Sequence, residues 1–268
     1  MCGVIGIIGT RNVVDDLVTG LRMLEYRGYD STGIATMDQG EILRRRAEGK
    51  LHNLEKLLHS DPIMGTRGIG HTRWATHGIP SERNAHPHIS KYLAIVHNGI
   101  IENYDQLADE LPLPRSAYVS DTDTEVLAHW LSHLIAKGHT PQDAVKILLP
   151  KLHGAFAFVV LFSDPDAPMI GARRGSPLAI GHGDGEMYFG SDALALSSCT
   201  SRITYLEEGD WAILHADSLR IFDAKNQPVE RSKVTSAYSG AMIGKGNYRH
   251  FMLKEIHEQP TVFANALA

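Results

Sequence analysis

Cysteine is scarce in this sequence: Cys2 and Cys199 are the only two among 268 residues. A disulfide framework needs more cysteines than this, so we expect a protein of a reducing compartment, the cytoplasm. Long apolar runs are also missing, since no segment approaches the roughly 20 apolar residues that span a bilayer. The N-terminus lacks the basic and apolar regions of a secretory signal. These absences exclude a disulfide-rich secreted protein and a helical membrane protein.

A strong excess of charge is absent as well. The 26 Lys and Arg residues stand against 31 Asp and Glu residues, which leaves a net charge of −5. The densest basic run is Arg44-Arg45-Arg46, which we interpret as a solvated strand end rather than a nucleic-acid site. Although 15 histidines are present, pairs such as His86 and His88 lack the spacing of a structural zinc site. We therefore expect no nucleic acid, no membrane, no metal and no cofactor.

What the sequence does contain is a regular alternation of strand and helix patterns. Residues 3–9 are a β-branched run bounded by glycine, which predicts a buried strand, and residues 13–24 place apolar side chains on one helical face. Further strands are predicted at 33–38, 42–47, 68–73, 92–97, 155–163, 169–173, 178–181, 187–190, 203–206, 210–215 and 219–222, with a short helix at 192–198.

Two further helices are predicted from their first residues. Thr122 and Glu125 have capping-box spacing at the start of a helix that ends at Gly138, and Thr140-Pro141 starts the next one. The whole order favours an α+β fold with two antiparallel sheets between helical layers. Periodicity does not determine the order of the layers.

Position 2 offers a nucleophile. Removal of the initiator methionine would put a thiol and a free α-amine on Cys2, and an α-amine with a pKa of roughly 7.7–8.0 can accept the thiol proton at neutral pH. Taken alone, Cys2 is equally consistent with a small residue at the start of a buried strand.

The segment 71–78 follows a predicted strand and carries Arg73 and Trp74. A guanidinium binds a carboxylate through two parallel hydrogen bonds, and Trp74 is placed to cover a small ligand. The following Gly78-Ile79-Pro80 would suit a mobile lid. By itself, this segment is also typical of a polar loop with a structural arginine.

Two other segments carry polar groups next to predicted elements. Asn98-Gly99 could direct a side-chain N–H and a backbone N–H at one oxyanion, although Asn-Gly after an apolar strand more often indicates a turn. Asp121 and Asp123 lie at a predicted helix start, where a carboxylate interacts favourably with the helix dipole and a second one could hold an ammonium group. Thiol, guanidinium, donor pair and carboxylate together match glutamine, which has a carboxylate, an ammonium and an amide carbonyl.

The sequence resembles the glutaminase domains of class II glutamine amidotransferases, which have the N-terminal-nucleophile hydrolase fold. Within that family it is most similar to the branch that transfers ammonia to fructose 6-phosphate. The motifs that carry the resemblance lie at 1–6, 24–31, 71–78, 84–88, 97–103, 120–125, 175–178, 191–192, 206–210 and 248–260. The resemblance implies a four-layer αββα sandwich.

The resemblance also implies roles for individual residues. Cys2 would be the catalytic N-terminal residue, and Asn98 and Gly99 would form the oxyanion hole. Arg73 would hold the glutamine carboxylate, assisted by Thr76 and His77. Trp74 would be part of the closing loop, and Asp123 would bind the ammonium group. Arg27 and Gly28 would brace the nucleophile and the oxyanion asparagine.

The implied activity is hydrolysis of L-glutamine to glutamate and ammonia through a Cys2 thioester, the ammonia being used to make glucosamine 6-phosphate. Residues 2–238 would form the glutaminase domain. Residues 239–268 would connect it to a sugar-isomerase half that is missing here, and the full-length enzyme would be a homodimer.

Three alternatives stay open. The chain could belong to another class II enzyme, of the phosphoribosylpyrophosphate amidotransferase or asparagine synthetase type. It could be a non-catalytic glutamine-binding module, which the presence of Cys2 argues against. An N-terminal-nucleophile peptidase is disfavoured because Arg73 and Asp123 suit a free amino acid.

Overall fold

Strands and helices alternate along the chain. The computed structural model describes residues 2–28, 30–74, 79–236, 250, 252–253, 255–257, 259–260 and 263. Within that part of the chain the strands are β1 (Gly3–Ile8), β2 (Ser31–Asp38), β3 (Glu41–Glu48), β4 (Arg67–Arg73), β5 (His88–Ser90), β6 (Leu93–Ile101), β7 (Gly154–Phe162), β8 (Met169–Arg174), β9 (Ala179–His182), β10 (Met187–Gly190), β11 (Arg202–Tyr205), β12 (Trp211–Leu214), β13 (Leu219–Phe222), β14 (Pro228–Val229) and β15 (Lys233–Thr235). The α-helices are α1 (Val14–Leu24), α2 (Leu51–Ser60), α3 (Tyr104–Asp109), α4 (Asp123–Ala136), α5 (Pro141–Leu148) and α6 (Ala193–Leu196).

These strands form two antiparallel sheets. The first has the order β15-β11-β9-β10-β1-β4-β2-β3, and the second has the order β14-β13-β12-β8-β7-β6-β5. The strand β1 lies in the middle of the first sheet, antiparallel to β10 on one side and to β4 on the other. The predicted pair of antiparallel sheets is confirmed.

The core shows how the sheets and helices are layered. Alternate side chains of β1 point in opposite directions, as strand geometry requires. Val4 and Ile8 pack between the two sheets, whereas Ile5 and Ile7 pack against α1. A third apolar cluster joins the second sheet to α3, α4 and α5. The layers are therefore helix, sheet, sheet and helix, which confirms the αββα sandwich and explains why β1 is apolar along its whole length.

The basic run in β3 is not a solvated strand end, so that interpretation is wrong. Arg46 donates to the carbonyl oxygens of Arg83 and Ala85, and Arg44 donates to that of Pro87. Burial lowers the pKa of Arg46 to about 10. The two guanidinium groups hold the loop before β5 against β3.

The capping box predicted at the start of α4 is also wrong, although the helix does start at Asp123. The Thr122 hydroxyl bonds to His88 Nε2 and to the Ser120 hydroxyl instead of capping the helix. Glu125 accepts the backbone N–H groups of Val119 and Ser120. Burial favours the neutral acid, but hydrogen bonds to Glu125, including those from Ser120 and Val119, outweigh it and lower its pKa to about 2. The predicted Thr140 cap of α5 is confirmed, because its side chain accepts the N–H of Asp143 at 3.1 Å.

The strand β6 is longer than the sequence predicted. It continues through Asn98 and Gly99, which pair with Ala157 and Phe156 of β7, so Asn-Gly is not a turn here. Among the described residues, no helix combines the length and the apolar character needed to cross a membrane.

Candidate active site

Several predicted site residues come from four elements that meet at one pocket, and Asn98 lies beside this pocket without being one of its lining residues. Cys2 directly precedes β1, and Arg73 is the last residue of β4, whose Thr72 pairs with Gly3 of β1. The second sheet contributes Asn98 and Gly99 from β6, and α4 contributes its first residue, Asp123. The pocket is lined by Cys2, His71, Arg73, Trp74, His86, His97, Gly99, Thr122, Asp123 and Thr124.

The Cys2 sulfur is held by the end of β4. The backbone N–H of Trp74 donates to Cys2 Sγ at 3.1 Å. Burial raises the pKa of the Cys2 thiol above its ordinary value, and the Trp74 hydrogen bond and the Arg73 charge only partly counter this. The thiol is therefore protonated at neutral pH, and it needs a base before it can act as a nucleophile.

Gly28 lies next to the peptide group that joins Arg73 to Trp74, where there is no room for a side chain. A Cβ added at Gly28 would lie 2.9 Å from Arg73 C and from Trp74 N. The Arg73–Trp74 peptide, which bonds the sulfur, thus packs directly against Gly28. Arg27 ion-pairs with Asp192 and donates to the Tyr26 hydroxyl at 3.0 Å.

The Asn98 amide connects the two sheets. Its Nδ2 donates to the Cys2 carbonyl oxygen at 2.9 Å and to Ser191 Oγ at 3.0 Å. Its Oδ1 lies 3.1 Å from His71 Nε2. Since the Cys2 carbonyl can only accept, the N–H side of the amide must face the nucleophile.

Gly99 brings the backbone of β6 to the pocket. Its φ of +124° disfavours any residue with a side chain. A Cβ there would lie 2.0 Å from the Ala155 carbonyl oxygen. Only glycine fits at this position.

Arg73 and Asp123 supply opposite charges to the same pocket. Both are almost fully buried, with 4% and 5% of their surface exposed. Burial lowers the pKa of Arg73, and the charges of Cys2, Asp30 and Asp123 act against that shift. Asp123 Oδ2 accepts the Ile101 N–H at 2.8 Å, which fixes the carboxylate at the end of β6. A carboxylate offers about four lone-pair positions, so Asp123 can accept further donors.

The remaining predicted residues differ in position. The Trp74 side chain is 49% exposed, so it lies at the mouth of the pocket. Thr76 and His77 lie outside the described residues. In the described part of the chain, no group of three or more His, Cys, Asp or Glu side chains is arranged to hold a metal ion.

Sequence reasoning assigned no role to three buried histidines, His71, His86 and His88, of which the first two line the pocket. His71 stacks on His86 with ring centroids 4.2 Å apart, and His86 meets His88 edge-on at 4.7 Å. Burial lowers the pKa of His71 and of His88 to about 3, so both rings are neutral. The two-residue period of β4 could have identified His71, because it places His71 on the same face as Arg73.

Comparison with known proteins gives a consistent result. The family model described as "Glutamine amidotransferase domain" matches residues 71–198. A glutamine–fructose-6-phosphate aminotransferase (isomerising) of Mesorhizobium japonicum is 55% identical over 268 residues, which cover 100% of this chain and 44% of that protein. The enzyme of the same name from Zymomonas mobilis is 55% identical over 267 residues, with the same coverage. The chain thus spans less than half the length of these relatives.

Solved structures agree on the fold. A glutamine phosphoribosylpyrophosphate amidotransferase from B. subtilis, in complex with ADP and GMP, matches with a TM-score of 0.70 and 28% identity over 83% of this chain and 49% of that one. A glutamine aminotransferase class-II domain protein from Silicibacter pomeroyi has a TM-score of 0.52 and 15% identity over 88% of this chain and 100% of that one. At that identity the likeness concerns the fold alone.

Proposed function

The chain is a glutamine amidotransferase domain homologous to the N-terminal part of glutamine–fructose-6-phosphate aminotransferases, and on that premise we propose that it hydrolyses L-glutamine to glutamate and ammonia. The observation that carries the proposal is the pocket itself. A thiol, a guanidinium, a carboxylate and the Gly99 backbone line one small cavity. This set of groups suits a free amino acid, because the two charges can bind its carboxylate and ammonium groups while its side-chain amide lies against Cys2.

Substrate orientation follows from the two buried charges. Arg73 would bind the α-carboxylate of glutamine through its planar guanidinium, and Asp123 would bind the α-ammonium. Both charged residues are almost fully buried, and charge-assisted hydrogen bonds are stronger in a buried site than in bulk solvent. Trp74, Thr76 and His77 would complete the carboxylate side and cover the ligand.

The chemical step starts from a protonated thiol. With Met1 removed, the α-amine of Cys2 would accept the thiol proton, directly or through a water, and Sγ would attack the amide carbon. Asn98 Nδ2 and the Gly99 N–H would stabilise the oxyanion, which requires one Asn98 N–H to turn from the Cys2 carbonyl to the new oxygen. The proton held by the Cys2 amine would then pass to the amide nitrogen as the oxyanion collapses and the C–N bond breaks, so that the nitrogen leaves as ammonia and a glutamyl thioester remains. Water would hydrolyse the thioester to glutamate and regenerate the Cys2 thiol.

We further propose that the ammonia serves fructose 6-phosphate amination in the whole enzyme. The name shared by relatives that are 52–55% identical over the full length of this chain supports this acceptor. Residues 2–238 would form the glutaminase domain, and residues 239–268 would lead to the sugar-isomerase half. A homodimeric full-length enzyme and a cytoplasmic location complete the proposal.

The test is an assay of the purified 268-residue chain. We expect glutamate and ammonia to form from glutamine, and no amino sugar to form when fructose 6-phosphate is added. The Cys2→Ala variant should be inactive while it still binds glutamine. A wild-type chain that binds glutamine without turnover would instead indicate a non-catalytic module.

A second acceptor follows from the structural match with a phosphoribosylpyrophosphate amidotransferase. Assay of the full-length protein with each acceptor separates the two possibilities. We expect product with fructose 6-phosphate, and product with phosphoribosylpyrophosphate alone would overturn the proposed acceptor.

A further inference from the structure

The orientation of the Asn98 amide depends on a buried histidine beside it. His71 Nε2 lies 3.1 Å from Asn98 Oδ1 and 3.0 Å from the His97 carbonyl oxygen. We propose that His71 is a positioning residue, whose single ring N–H fixes the Asn98 amide with its N–H side towards Cys2. This inference rests on the proposed glutaminase function, in which Asn98 stabilises the oxyanion.

The tautomer of His71 follows from its neighbours. The His97 carbonyl oxygen can only accept a hydrogen bond, and Asn98 Oδ1 is the amide oxygen because Nδ2 faces the Cys2 carbonyl. His71 must therefore carry its proton on Nε2, shared between these two acceptors. His71 Nδ1 is buried and has no hydrogen-bond partner among the described residues, so a second proton there would have nothing to bind.

Packing keeps the ring in this neutral form. His71 is 1% exposed, and the His86 ring stacks on it at 4.2 Å. A protonated imidazole in this place would be buried near the Arg73 charge, with no partner for its second N–H, which is costly. His71 is therefore a fixed neutral donor over the ordinary pH range.

The other end of the Asn98 amide is held by Ser191. Ser191 Oγ lies 3.0 Å from Asn98 Nδ2, and the Val4 N–H fixes the serine at 2.6 Å. A flipped amide would place Oδ1 against the Cys2 carbonyl and Nδ2 against the His71 N–H, two repulsive contacts. When one Asn98 N–H leaves the Cys2 carbonyl to meet the oxyanion, the His71 contact is a main restraint left on the amide.

The test uses His71→Leu, which removes the donor, and His71→Gln, whose side-chain amide can still donate. We expect His71→Leu to lower kcat for glutamine about tenfold, because one buried hydrogen bond is worth about that factor. The KM for glutamine should change less than about threefold, since Arg73 and Asp123 are untouched. His71→Gln should recover most of the lost kcat.

The decisive comparison is a double-mutant cycle with Asn98→Ala. If His71 acts through the Asn98 amide, His71→Leu should lower kcat in the wild-type background and have no further effect in the Asn98→Ala background. His88→Leu is a matched control, because His88 is equally buried but bonds to Thr122. It should lower the unfolding midpoint by a similar amount and leave kcat within about twofold.

An equal loss of kcat in both backgrounds, or no recovery in His71→Gln, would overturn the inference. Failure of the proposed function gives a different pattern, since the wild type would then be inactive or Asn98→Ala would turn over at the wild-type rate. Nitrogen-15 NMR of the ring provides a readout independent of activity. We expect a protonated Nε2 and a bare Nδ1, and the opposite tautomer would refute the positioning role whatever the kinetics.

Discussion

Replacement of Gly28 by alanine tests how the nucleophile is held. The added Cβ would lie 2.9 Å from Arg73 C and Trp74 N, against ordinary contacts of 3.4 Å or more, so the end of β4 must retreat by about half an ångström. That peptide carries the N–H that bonds Cys2 Sγ at 3.1 Å. Because a misplacement of 1 Å can cost about a hundredfold, we expect a fall in kcat of about tenfold. Overpacking should also lower the free energy of unfolding by about 1–3 kcal/mol.

The assay follows the thiol as well as the turnover. Loss of the Trp74 hydrogen bond should raise the pKa of Cys2 further, so alkylation by iodoacetamide should require a higher pH in Gly28→Ala. A Cys199→Ala background leaves Cys2 as the only thiol. Gly9→Ala is the matched control, since its Cβ would meet only the flexible Glu186 side chain. An unchanged alkylation profile and kcat in Gly28→Ala would refute this account of the nucleophile.

Two further predictions follow from the buried charges and the histidines. Asp123→Asn still accepts the Ile101 N–H but loses its charge. Steady-state kinetics should therefore show a rise of about 10- to 100-fold in the KM for glutamine, with kcat changing less. An unchanged KM would contradict the assignment of the glutamine ammonium group to Asp123. His71 and His88 have folded-state pKa values of about 3, below the ordinary 6.5. Their contribution to stability is therefore complete above about pH 6.5 and is lost as the pH falls towards 3, by about 1.4 kcal/mol per pH unit for each histidine. Urea unfolding at pH 7.5 and 5.5 measures this loss. Equal free energies of unfolding at the two pH values would contradict the lowered pKa values of the buried histidines.

Much of the fold could be predicted because its signals are local. The apolar run of β1 and the periodicity of α1 depend only on neighbouring residues, and both elements lie where they were expected. The Asn98-Gly99 pair shows where local signals fail. Turn propensity favours a hairpin there, but pairing with β7 carries the strand through both residues. Long-range pairing of this kind is not visible in a single segment.

The polar interactions were the hardest part to predict. Thr122 has the spacing of a capping residue, yet its hydroxyl is taken by His88, which lies 34 positions earlier in the chain. Arg46 lies in a basic run typical of a solvated surface, but carbonyl groups of a distant loop surround it. Chemical types alone identified Cys2 and the pair Asp121 and Asp123 as candidates, because the complementarity to glutamine concerns functional groups rather than contacts. The family resemblance then selected Asp123.

The central claim is that Cys2 is the nucleophile that attacks glutamine, and covalent labelling tests it most directly. The wild-type chain is treated with an electrophilic analogue of glutamine, and its peptides are then mapped by mass. The account predicts one adduct, on Cys2 in an N-terminal peptide that has lost Met1, with Cys199 unlabelled and activity abolished in step with labelling. Labelling at Cys199 in place of Cys2, or a Cys2→Ala variant that hydrolyses glutamine at the wild-type rate, would contradict it.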